Sequence, residues 1–134
     1  MSRRSRAREV ALQVLFQDDL NPADPLPDAT PFLQQRLSSA NLIDLATKLV
    51  VGVRCKRSEL DEMLQSAADN WTVSRMAVTD RNVLRLGAFE LLHTDTPDRV
   101  AVDEAVELAK RFGSAQSAPF VNGILDQLFK EQNS

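Results

Sequence analysis

Arg3, Arg4, Arg6 and Arg8 stand within the first eight residues, with no acid among them. A guanidinium group offers a planar fork of donors that matches phosphate and also stacks on bases, so this grouping suits a nucleic-acid strand. At about 100° per residue the four scatter around a helix instead of sharing one face, and cations at a helix N-terminus oppose its macrodipole. Folding alone does not call for them there. A solvated tail and a nucleic-acid arm both account for the pattern. Arg54, Lys56 and Arg57 fall at the expected end of a helix, where positive charge stabilises exposed carbonyls, and Lys110 with Arg111 before Gly113 has the same explanation. Phe120 could stack a base, although core packing explains most phenylalanines as well.

Other chemistry is poorly provided for. Cys55 is the only cysteine and His93 the only histidine, which excludes an intramolecular disulfide and a Cys/His zinc site. The pairs Asp18-Asp19, Asp61-Glu62 and Asp103-Glu104 are adjacent on expected helices, so their carboxylates diverge instead of converging on an ion. Glycine-rich phosphate loops and the nucleophile-elbow motif are absent. The sequence therefore predicts no catalytic residue, no metal and no cofactor: a binding protein, not an enzyme.

The elements that must position these residues are helices. A chain of 134 residues can bury roughly two thirds of its unfolded surface, as one domain does, and 43% hydrophobic content supplies the material. Nowhere do apolar and polar residues alternate over a strand length, whereas Ala7, Val10, Ala11, Val14 and Leu15 repeat at helical spacing. We predict an all-α fold of six or seven helices: one over residues 4–20, stopped by Pro22, Pro25 and Pro27; a short one over 32–38 capped by Thr30; a third from Leu42 to about Arg57; a fourth started by a capping box at Ser58 and Asp61 and closed at Asn70; then helices from Thr79, from just after Pro97 to Gly113, and from Ser117. Trp71 lies where no stripe persists, so two helical subdomains are expected to divide there, about 1–70 and 71–134. No apolar run is long enough for a bilayer, which predicts a cytoplasmic protein without membrane contact. Net charge is −3, with 16 basic against 19 acidic residues; without the four leading arginines, 12 face 19, a body at −7.

Four stretches carry a resemblance. Arg6 to Phe16 (RAREVALQVLF), Asp80 to Leu91 (DRNVLRLGAFEL), Val100 to Gly113 (VAVDEAVELAKRFG) and Phe120 to Asp126 (FVNGILD) closely resemble, in this order, the NusB family of bacterial transcription antitermination factors. The resemblance implies two small helical bundles that bind single-stranded boxA RNA of ribosomal RNA leader transcripts, together with ribosomal protein NusE, on elongating RNA polymerase. It places Arg3, Arg4, Arg6, Arg8 and Phe120 on the RNA-binding side and Phe16, Asp80 and Arg81 on the side that meets the protein partner. Phe16 and Phe89 stand where the family often has tyrosine, and Gln116 replaces a common acid, so contacts there differ. A homodimer through the partner surface stays open, as do two other readings: a module like that of ribosomal RNA cytosine methyltransferases, and a helical protein-binding adaptor.

Overall fold

The computed structural model describes residues 3–133. Among them are six α-helices, one 3-10 turn and no strand: α1 (Arg3–Leu20), α2 (Thr30–Arg36), α3 (Ala40–Ala67), the 3-10 turn Val73–Arg75, α4 (Val78–His93), α5 (Asp98–Phe112) and α6 (Ser117–Gln132). The chain divides into two compact units, residues 1–55 and 56–134. That division falls inside α3, whereas the sequence reading put a subdomain boundary near residue 70.

The first unit is organised by α1. Every residue from Ala7 to Leu12 is buried, more than a full turn, so the helix is enclosed on all sides there. It ends at the proline-rich loop, with the Asn21 amide N–H donating to the Gln17 carbonyl at 2.8 Å. Arg54 then ties three segments together. Its Nε and Nη2 donate to the two carboxylate oxygens of buried Asp18, each at 2.8 Å, and its Nη1 donates to the Pro27 carbonyl at 2.9 Å. A forked pair of this kind fixes geometry as well as charge. The expected dipole role at a helix end is therefore replaced by a cross-link from mid-helix. Thr30 does not cap α2 either: Ala29 occupies the cap position, and the Asp28 carboxylate accepts the Thr30 N–H at 2.9 Å.

Two expected helices prove to be one. No glycine or proline interrupts residues 53–67, and the buried positions Leu49, Val53, Leu60, Leu64 and Ala67 keep helical phase, with half-buried Arg57 filling the step between Val53 and Leu60. Ser58 and Asp61 consequently lie in a helix interior. Ser39 starts α3 instead, its hydroxyl accepting the Leu42 N–H at 3.3 Å.

In the second unit α4 is buried continuously from Asn82 to Leu91, as its apolar sequence led us to expect. Gly87 makes this possible. A Cβ at that position would lie 2.8 Å from Leu125 Cδ1 and 2.9 Å from Ala105 Cβ, so the side chains of Ala105 on α5 and Leu125 on α6 seat directly against the α4 backbone. Buried Arg85 satisfies its charge by donating from Nε and Nη2 to the Asp61 carboxylate at 2.7 and 2.9 Å, which joins α4 to the last turns of α3. The loop before α6 is closed by the Ser114 N–H donating to Ser117 Oγ at 2.9 Å.

Candidate nucleic-acid interface

The leading arginines separate by accessibility. Arg3 and Arg4 occupy the first turn of α1 and are exposed. Arg6 keeps 42% of its side chain exposed while Nη1 pairs with Glu9 Oε1 at 2.9 Å. Arg8 is 2% exposed. Helical rotation brings it into the enclosed stretch that begins at Ala7, so of the four arginines expected on the RNA side three are accessible in this structure and the fourth is buried. Stranding the charge of a guanidinium in that setting is costly, and Arg8 is not left without an interaction there.

Phe120 is half-buried in the first turn of α6. Its ring meets that of Trp71 edge to face, with centroids 4.9 Å apart and planes at 78°. The sequence reading used Trp71 only to mark a junction and missed it as a surface group. The available signal was a lone tryptophan outside any apolar stripe, between polar Asn70 and Thr72. Its segment is nonetheless held firmly. The Gln65 amide donates to the Trp71 carbonyl at 2.6 Å and its oxygen accepts the Val73 N–H at 2.9 Å, while the Arg81 guanidinium donates to the Ser74 carbonyl at 3.1 Å.

The expected partner residues have distinct environments. Phe16 is half-buried on α1. Arg81 reaches the carbonyls of Val73, Ser74 and Met76, so much of its donor capacity holds the 3-10 turn. Asp80 lies in the first turn of α4, where a carboxylate is favoured, and among the described residues its buried Oδ1 accepts no hydrogen bond. A cavity of about 250 Å³ lies in the first unit beside the Asp18–Arg54 link, and none of the predicted site residues lines it.

The NusB family model matches residues 5–130. The chain belongs to the NusB family. NusB-family relatives described as transcription antitermination proteins include one from Anaeromyxobacter dehalogenans, 46% identical over 95% of this chain and 90% of its own, and one from Bdellovibrio bacteriovorus, 38% identical over 97% of each. The fold superposes on T. maritima NusB with a TM-score of 0.83 at 36% identity, covering 98% of this chain and 92% of that one. It also superposes on a structure of antitermination factors NusB and NusE in complex with dsRNA, with a TM-score of 0.84 at 26% identity and 98% of both chains covered. No helix of the described residues is long and apolar enough to cross a membrane.

Proposed function

We propose that this protein is a transcription antitermination factor of the NusB type: it binds boxA RNA of ribosomal RNA leader transcripts together with ribosomal protein NusE, in the cytoplasm, on elongating RNA polymerase. It acts by binding and catalyses no reaction. The observation that carries the reading is the family match over nearly the whole chain, supported by likeness along 98% of its length to the NusB of a complex with NusE and RNA. Arg3, Arg4 and Arg6 supply phosphate contacts and Phe120 a base contact, with Arg8 bracing α1 from within. Phe16, Asp80 and Arg81 face the protein partner.

Three accessible arginines make a weak RNA site, which is a physical reason for a second protein that adds contacts and selectivity. Titration of boxA RNA and a scrambled sequence, each with and without NusE, tests the reading. Preference for boxA, strengthened by NusE, is the expected outcome; equal affinity for both RNAs in every mixture overturns it. The same mixtures, sized by sedimentation, report whether a homodimer of the free protein dissociates as NusE binds.

A further inference from the structure

We propose that Trp71, with Phe120 and the bare helix surface at Gly123, forms a stacking platform for an unpaired nucleobase, Trp71 being a base-binding residue in its own right. The inference rests on the RNA-binding reading above and deepens it. Trp71 is 57% exposed, a large aromatic surface left in water, although its backbone is pinned from both sides. Gln65 bonds the Trp71 carbonyl and the Val73 N–H, and Trp71 donates its own N–H to the Ala68 carbonyl at 2.9 Å. Edge-to-face contact with Phe120 then fixes the indole without covering it. A rigid, exposed ring contributes little to folding but loses little entropy when a planar ligand stacks on it.

Gly123 supplies an independent observation. It lies three residues after Phe120, on the same side of α6, and is exposed. A Cβ there would meet no atom within 4 Å, whereas at Gly87 it would collide with Leu125 and Ala105. Mid-helix glycine destabilises relative to alanine, and no packing within the second unit requires it at this position. Absence of a side chain is explained by something outside the fold that approaches the backbone closely. The chain neighbours of the aromatic pair, Asn70, Thr72 and Asn122, are exposed and polar, so they suit a ligand with an apolar face and a hydrogen-bonding edge better than an apolar helix.

Trp71 is the only tryptophan, so its emission reports on the platform directly. Labelled boxA RNA is titrated into the full chain with saturating NusE, following RNA anisotropy and tryptophan fluorescence in parallel. The expected result is quenching of Trp71 in step with binding, an affinity loss of about five- to hundredfold for Trp71→Ala, and recovery of most of it by Trp71→Phe. Gly123→Leu weakens RNA binding while raising thermal stability, and Phe129→Ala, an aromatic elsewhere on α6, leaves RNA affinity and Trp71 quenching unchanged. RNA binding by the wild type with unquenched Trp71 and unchanged affinity in Trp71→Ala overturns the platform and leaves the RNA-binding reading standing. Failure of the wild type to bind boxA RNA at all overturns both.

Discussion

Arg8 and its exposed neighbours carry the same charge but work against different opponents, so substitution separates them. Arg8→Ala removes a buried guanidinium and leaves its partners unsatisfied, and should cost about 2 kcal/mol or more in urea denaturation without altering the salt dependence of RNA binding. Asp28 gives a pH signature. The Thr30 backbone N–H and hydroxyl hold its carboxyl below the ordinary value of 3.8, with the Arg54 charge adding to them and burial opposing them slightly. A carboxyl with a depressed folded pKa contributes stability that is complete above its unfolded value and is lost as pH falls through the folded one. The stability gap between wild type and Asp28→Ala should therefore be constant near neutral pH and close below 3.8, as followed by thermal unfolding across that range. None of this was legible from residue type: Thr30 read as the cap, and only the positions of Ala29 and Asp28 show which group accepts the N–H.

At the scale of elements, α3 shows how a correct periodicity can carry an incorrect boundary. Basic residues followed by Ser58 and Asp61 looked like one helix ending and another starting, because both signals are local. Burial decided otherwise, since Val53, Leu60 and Leu64 are all fully enclosed only if the helix continues in phase. Ser58 is then an exposed interior position, and Ser58→Ala should stabilise the protein by about 0.3 to 0.5 kcal/mol. A capping serine would instead cost about 1 kcal/mol when replaced, so chemical denaturation of this variant settles the element's continuity. Gly87→Ala tests the close approach of α4, α5 and α6. Alanine favours helix by about 1 kcal/mol, but its methyl meets Leu125 and Ala105 below contact distance, and overpacking of about 1 to 3 kcal/mol should make the net effect destabilising by calorimetry.

Over the whole molecule, an acidic body with a basic start makes the proposed RNA binding testable through its response to salt. If Arg3, Arg4 and Arg6 each neutralise one phosphate, the logarithmic salt slope for an unpaired strand is about −2.1, an affinity loss of about twentyfold between 50 and 200 mM. Arg3→Ala combined with Arg4→Ala should reduce that slope to about −0.7, measurable by titration at several salt concentrations. The sequence by itself determined the all-helical class, the places of α1, α4, α5 and α6, and the family, because helical periodicity, stop signals and motif order are properties of neighbours along the chain. Tertiary structure alone decided that Arg8 lies inside, that Arg54 forks onto Asp18 and that Trp71 abuts Phe120. Those facts depend on residues far apart in sequence arriving at one place, and the free energy that selects such meetings comes from burial and charge satisfaction summed over the fold.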